Sequence, residues 1–294
     1  CQYGRVCCES AFGSNKRSGI TSRWRCSKLY CIAMRNTITL AIAILLGVLV
    51  QAQEIETIKV EDNLYMVGDR TYSCFYVTDD SVVVIDPLDE RHAEATIKAI
   101  NEVTDLPVKT VFYSHNHWDH ISGAQIFKEK GATIISHKKA AETITPNPAV
   151  LMPDQTWTGT DTTYAIGNKQ LELSFYGRNH GDGMTVFRFP EHNIVFTIDL
   201  VVPDRVLYAY LPDADPKNWV ASLKEIQELD FDTLLMSHVR AVGARKDLTL
   251  MQNYFDDLYQ AVQTELDNGT NLFKIPNTIE LPKYKHWKNY EEWL

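Results

Sequence analysis

Four short runs dominated by apolar and β-branched residues, Ile55–Val60, Leu64–Val67, Tyr72–Val77 and Ser81–Ile85, follow one another with Asp, Asn and Gly between them. Such spacing predicts a meander of strands. Asp86-Pro87 ends the fourth run, and from Asp89 to Val103 the period lengthens, with Ala93, Ile97 and Ile100 on one face of a predicted helix. Val108–Tyr113 reads as a strand, His115–His120 as a loop, Ser122–Lys130 as a helix and Thr133–Ile135 as a strand. The second half repeats this grammar. Strands are expected at Thr162–Ile166, Gln170–Tyr176, Met184–Phe189, Ile194–Ile198 and Thr233–Met236, and helices at Pro216–Leu229 and Lys246–Asp267. Strands alternating with helices imply layered sheets with helices outside, and two sheets sandwiched between helices accommodate this order. With no low-complexity linker inside, residues 53–270 read as one domain, and 271–294 as a Lys-, Trp- and Tyr-rich tail, either an appended helix or a mobile segment.

Composition changes this picture first at the N-terminus. Residues 1–33 begin with Cys1 and hold five of the six cysteines, at spacings that match no usual zinc site. They read as an upstream extension foreign to the fold. Met34-Arg35-Asn36, an apolar run from Ile38 to Val50 and a small residue at Ala52 form an export signal over 34–52, with cleavage near Ala52. The run falls short of the ~20 apolar residues that cross a bilayer. The expected destination is therefore the periplasm or the exterior, with no membrane span in the mature chain. The sixth cysteine, Cys74, lies in a strand run and is expected in the core. Setting aside the seven bases and one acid of residues 1–52 leaves 22 basic against 37 acidic residues, a net charge near −15. So acidic a surface repels phosphate backbones and argues against nucleic acid, leaving a small-molecule substrate.

The sharpest chemical signal is Ser114-His115-Asn116-His117-Trp118-Asp119-His120, directly after a strand. One histidine there would read as a cap. Three with an aspartate between them read as metal ligands, because imidazole and carboxylate suit zinc. In extended backbone His115 and His117 point to one side and can share an ion, while Asp119 and His120 turn toward a second.

These residues resemble the signature His-any-His-any-Asp-His of the metallo-β-lactamase superfamily, over roughly residues 55–265. The resemblance implies an α+β, four-layer αββα sandwich with metals at one edge. It implies that His115, His117 and His180 hold one Zn2+, that Asp119, His120 and His238 hold another, and that Asp199 bridges the two. His180 lies in Asn179-His180-Gly181-Asp182-Gly183, Asp199 ends a hairpin, and His238 follows the strand Thr233–Met236. Two departures stand out: Ile198 and Val239 occupy places where the family usually has glycine, putting the loop shapes in question. A carboxylate at 199, where many true β-lactamases carry cysteine or serine, is similar to the glyoxalase II, lactonase and sulfatase branches. The implied reaction is attack by a hydroxide held between the ions on an ester, thioester, lactone or β-lactam, with Asp119 and Asp199 as catalytic carboxylates. Trp118, Arg178, Arg205, Tyr208, Tyr210 and Arg240 lie near the metal-bearing loops and are candidate substrate contacts.

Other residues receive plainer readings. His92, His192 and His286 are expected on the surface, and His137 at a helix start. Asp86 either orients a ligand histidine or caps the following helix. No serine-nucleophile elbow or phosphate loop occurs. A flavodiiron-like redox protein would need a flavin domain for which little chain follows Asp267, and a metal-binding accessory protein without turnover is the remaining alternative.

Overall fold

The computed structural model describes residues 54–294, so the upstream extension and the export signal lie outside the described residues. A first sheet takes its seven strands in chain order: β1 (Glu56–Glu61), β2 (Leu64–Gly68), β3 (Tyr72–Val77), β4 (Val82–Ile85), β5 (Val108–Tyr113), β6 (Thr133–His137) and β7 (Gln155–Trp157). Pairing is antiparallel as far as β4 and parallel from there on. Parallel neighbours need crossovers, supplied by α1 (Glu90–Val103), by α2 (Trp118–Ile121) with α3 (Gln125–Glu129), and by α4 (Lys138–Thr143). The second sheet is made of β8 (Asp161–Ile166), β9 (Lys169–Phe175), β10 (Thr185–Phe189), β11 (Ile194–Phe196), β12 (Thr233–Leu235) and β13 (Val242–Gly243). Only its β11–β12 pair is parallel, crossed by α5 (Pro216–Gln227), and α6 (Arg245–Asp267) follows β13. Two mixed sheets with flanking helices give the expected sandwich.

The period of two decides which face packs where. Leu64, Met66, Cys74, Tyr76, Val83 and Ile85 join the core shared with the second sheet, whereas their neighbours Tyr65, Val67, Phe75, Val82 and Val84 join a separate core with Ala93 and Ile100 of α1 and Phe127 of α3. Both faces are covered, which is why these strands read as nearly unbroken apolar runs. Aromatic edges join the sheets: Phe112 meets Tyr164 at 5.1 Å and Phe187 at 5.7 Å, and Tyr76 meets Phe189 at 5.1 Å. Burial pushes the Cys74 thiol well up, as befits an inert core residue.

Several boundaries differ from the sequence expectation. The predicted loop His115–His120 contains the helical turn α2, and the predicted helix Ser122–Lys130 shrinks to α3. Gly123 explains the break: its N–H donates to Leu88 O at 2.6 Å, and a Cβ would lie 2.5 Å from Asp89 O and 2.6 Å from Pro87 O. Strands β7 and β13 have three and two residues, too few for a readable period. The buried face of α1 is His92, Ala93, Thr96, Ala99 and Ile100, with Ile97 only half-buried. His92 is thus a correction, being buried with Nδ1 2.7 Å from Asp89 Oδ1 and Nε2 3.4 Å from Asp69 Oδ1. Acids at both ring nitrogens satisfy it there.

The chain after residue 270 is packed. Two 3-10 turns, Ile275–Asn277 and Pro282–Tyr284, lead to α7 (Tyr290–Trp293), with Leu281, Tyr284, Trp287 and Tyr290 buried in the shared core. Trp287 stacks on Tyr254 of α6 at 5.1 Å and meets Tyr284 edge-on at 4.6 Å. Among the described residues no helix is long and apolar enough to cross a membrane.

Candidate metal centre

Strand ends assemble the centre. His115 follows β5, and Asp119 and His120 lie on α2 with His117 just before it. In the second sheet β9, β11 and β12 run in one direction, so their C-terminal ends share an edge. His180, Asp199 and His238 sit on the loops leaving those ends. Ile198 and Val239, beside two of these residues, have φ of 54° and 70°. The places where the superfamily favours glycine are therefore left-handed here too, occupied by β-branched side chains at a cost in strain.

Donor atoms fall into three overlapping groups that could hold ions, His115 with His117 and His180, Asp119 with His120, Asp199 and His238, and Asp86 with His115 and His120; within each, they lie within 4.8 Å of one another. Nδ1 of His117 is 3.1 Å from Nε2 of His180. Nε2 of His120 lies 3.2 Å from Asp199 Oδ2, 3.4 Å from His238 Nε2 and 3.6 Å from Asp119 Oδ2. Bonds of about 2.0–2.1 Å in a tetrahedron put neighbouring ligands about 3.3–3.4 Å apart, so these spacings suit a zinc-sized ion. One N–H cannot satisfy three partners at once, and His115 Nε2 and Asp199 Oδ1 are buried with no hydrogen-bond partner. Convergent lone pairs around a common point account for both facts.

The opposite ring atoms fix the tautomers, assigned from the hydrogen-bond network. Ser114 Oγ donates to Asp86 Oδ2 at 2.6 Å and so accepts from His115 Nδ1 at 2.8 Å, freeing Nε2. His120 Nδ1 donates to the same carboxylate at 2.9 Å, His117 Nε2 to Asp213 Oδ2 at 3.0 Å, and His238 Nδ1 to Thr71 Oγ1 at 3.2 Å. Asp86 therefore orients ligand candidates, while the cap of α1 is Asp89. Gly181 makes room for this bonding: a Cβ there would stand 3.1–3.3 Å from Asn116 Oδ1, Asp213 Oδ2 and His117 Nε2.

Burial, reinforced by His117 and His120, holds His115 neutral well below the usual imidazole range, and burial brings His180 down to about 3 against the pull of Asp199. Both rings are ready lone-pair donors at neutral pH. Burial raises the Asp119 and Asp199 carboxyls, but the imidazoles of His120 and His238 outweigh it and keep both ionised. Asp213 is likewise brought to about 2, its burial overcome by the bond from His117.

A cavity of about 850 Å³ opens over the donors. Of the sequence candidates, Trp118, Arg205, Tyr208 and Tyr210 line it. Arg178 instead bonds the carbonyls of Pro212 and Asp213, and Arg240 pairs with Asp204 and Asp247, so these two are not on the wall. Of the other histidines, His137 caps α4 and stacks on Phe175 at 4.1 Å, His192 is half-buried against Tyr76, and His286 is exposed. Sequence reasoning missed Asp213, Thr71, Ser114 and the cavity-lining Trp293. Only Ser114, inside the motif and before a ligand candidate, carried any local signal.

Residues 67–238 match the profile of the Metallo-beta-lactamase superfamily. The chain is 28% identical over 142 residues to the 2,4-dinitroanisole O-demethylase subunit alpha of Nocardioides sp. (strain JS1661), a match covering 48% of this chain and 43% of that protein. It is 24% identical over 165 residues to the metallo-beta-lactamase IND-1 of Chryseobacterium indologenes, covering 54% and 68% respectively. The chain thus spans less than half the length of the first relative and about two thirds of the second. Among solved structures, a metallo-beta-lactamase from Pontibacter korlensis superposes with a TM-score of 0.63 at 23% identity, over 69% of this chain and 99% of the other. With the profile spanning more than half of its 294 residues, the chain belongs to the metallo-β-lactamase superfamily.

Proposed function

We propose that the protein is a metal-dependent hydrolase working with two divalent ions, zinc by the chemistry of its donors. His115, His117 and His180 would hold one ion, and Asp119, His120 and His238 the other. Asp199 would be shared, since its Oδ2 lies 3.1 Å from His238, 3.2 Å from His120 and 3.4 Å from His180. The observation that carries this reading is the convergence, at tetrahedral spacing, of seven donors, four of them imidazoles whose opposite ring nitrogens are held by Ser114, Asp213, Asp86 and Thr71. Ions bound there supply a water-derived nucleophile near neutral pH and polarise a carbonyl.

The chain's own residues do the rest. Asp86, Ser114, Asp213 and Thr71 hold the imidazoles so that no reorientation is needed on binding. The Asp119 carboxylate, 60% exposed and kept ionised by His120, is placed to relay a proton from the attacking water to the leaving group. Trp118 is pinned to the wall by Nε1–H donation to Thr145 O at 3.1 Å. The substrate is a small ester, thioester or lactone, ahead of a β-lactam because position 199 is a carboxylate. Export rests on the composition of residues 34–52 and assigns the enzyme to the periplasm or the exterior.

Metal analysis of the purified protein, paired with a lactone, thioester and cephalosporin panel with and without EDTA, tests this. About two zinc ions per chain and hydrolysis abolished by the chelator are expected. A protein that hydrolyses none of them when zinc-loaded, or that ignores EDTA, overturns the reading.

A further inference from the structure

His120 and His238 approach from opposite sheets, and their Nε2 atoms stand 3.4 Å apart. That spacing depends on how two separate loops are held. His120 rides on α2, which is tied to the turn before α1: Leu88 N–H donates to His120 O at 2.9 Å, and Gly123 N–H donates to Leu88 O at 2.6 Å. Asp86 and Leu88 in this turn have φ of 55° and 56°, and Leu88 is buried, so the surroundings hold the turn in a strained conformation. His238 is tied instead to the hairpin between β2 and β3. Tyr72 N–H donates to Ser237 O at 2.8 Å, Ser237 Oγ to Tyr72 O at 3.0 Å and Val239 N–H to Arg70 O at 2.9 Å, on either side of the bond between Thr71 Oγ1 and His238 Nδ1.

Hairpin and turn meet at one carboxylate. Asp69, buried where the hairpin bends, accepts from Arg70 N–H at 2.6 Å and from Arg91 Nη2 at 2.5 Å, and its Oδ1 lies 3.4 Å from His92 Nε2. Arg91 and His92 belong to the first turn of α1. Asp89 anchors His92 there, accepting its backbone N–H at 2.9 Å with the oxygen that lies 2.7 Å from its Nδ1. Burial raises the Asp69 carboxyl, but the bonds from Arg91, Arg70 and His92 outweigh it and keep it ionised. Charge-assisted bonds of this kind are about twice as strong as neutral ones. Asp69 stands outside the donor groups and the cavity lining, yet Arg70 and Thr71, the next two residues along the chain, are the ones that hold the His238 loop.

We propose that Asp69, gripped by Arg91 and His92 at the start of α1, is a positioning residue of the metal centre, fixing the hairpin that keeps His238 at its distance from His120. The start of α1 thereby holds both sides of one ion site, through Leu88 on the first sheet's side and through Asp69 on the second's. The inference rests on the metallohydrolase reading for the ion alone, because the tie between hairpin and helix is a property of the chain itself.

The test compares the full chain with Asp69→Asn in two measurements. Asparagine keeps the shape and can keep the Arg70 bond through its carbonyl, but it loses the charge that holds Arg91 and His92. In zinc competition against a chromophoric chelator, one of the two affinities should fall about tenfold and the other stay within about twofold. In a His238→Ala background Asp69→Asn should change the remaining affinity by less than about twofold, since the ligand it positions is gone. Arg91→Ala, at a half-exposed position that leaves the core intact, should act in the same direction, and Arg91→Lys should recover part of the loss. Amide hydrogen exchange of the metal-free chain is the second measurement: Tyr72 and Val239 should exchange about tenfold faster in Asp69→Asn, with Thr185, bonded to Ser114 O, unchanged. Unchanged exchange at Tyr72 and Val239 overturns the proposal, as does an equal fall in both zinc affinities or a fall that persists in the His238→Ala background. A wild-type chain that takes up no zinc counts against the metallohydrolase alone, and exchange then decides the role of Asp69.

Discussion

Replacing Asp86 by asparagine isolates the contribution of a residue outside the two proposed ligand sets. Its carboxylate is fully buried and accepts three bonds: Ser114 N–H at 2.7 Å on Oδ1, and Ser114 Oγ at 2.6 Å and His120 Nδ1 at 2.9 Å on Oδ2. Asparagine keeps the shape and can keep the first bond through its carbonyl. Its NH2 group, however, faces the His120 N–H, and two donors cannot bond. His120 must then turn or move its proton to Nε2, the atom that faces Asp199 and His238. The loss is one charge-assisted hydrogen bond, about 1.5–3 kcal/mol, which agrees with the roughly 10–100-fold fall in metal affinity common for such partners. Competition against a chromophoric zinc chelator measures this directly, and kcat/KM at saturating zinc separates affinity from chemistry. Zinc affinity within about twofold of wild type, with an unchanged fold, would refute the argument, because His120 would then need no orienting acceptor.

Three other outcomes follow from the same geometry. Chelation should lower Tm by about 5–10 °C, since ions at a hundredfold excess over Kd stabilise a domain of this size by about 2.7 kcal/mol; differential scanning calorimetry showing no shift would exclude bound metal. Asp247, 3% exposed, pairs with Arg240 and accepts Ala244 N–H at the start of α6, so Asp247→Asn should cost about 2–3 kcal/mol through the broken ion pair. Burial opposes and the Arg240 bond favours the charged form, and the net folded pKa is lowered; the contribution is complete above the unfolded carboxylate range and disappears as pH falls through the folded value. Urea unfolding should accordingly show a constant gap between wild type and variant at pH 5–8 that closes below about pH 4. Val239→Gly should leave the stability of the metal-free chain within about 1 kcal/mol, left-handed strain of ~1–2 kcal/mol being relieved against the flexibility glycine adds. Ile198→Gly should instead cost about 1–3 kcal/mol, because the side chain removed is fully buried; a larger loss at 239 than at 198 would contradict this.

What the sequence made legible depended on how far apart the cooperating residues lie. His115, His117, Asp119 and His120 fall within six positions after a strand, so local pattern sufficed to single them out. His180, Asp199 and His238 are isolated along the chain and became visible only through the family resemblance. Asp213 arrives from a loop without period and bonds His117 across the cavity, a relation no spacing encodes. His92 was misread because its two acids stand at positions 69 and 89, and only folding brings the first of them near. The tail was left open between packing and mobility for the same reason: Trp287 has no meaning in a short window until Tyr254, on another helix, lies beneath it. At Ile198 and Val239 the departure from glycine put the loop shapes in question, and the structure keeps the left-handed conformation there all the same.

Four of the seven candidate donors come from the loop after β5 and from α2, the other three from the far sheet, with His238 bridging back to Thr71. Each of the two groups proposed to hold an ion draws its donors from both sides. On the two-ion reading, loading would wait until β12 of the second sheet has docked, well after the histidine-rich loop has been synthesised, and a chain threaded through a membrane in extended form would acquire its metal only on the far side. Ions seated as proposed would be a clasp across the seam, so that prying the sheets apart and emptying the centre would be a single event.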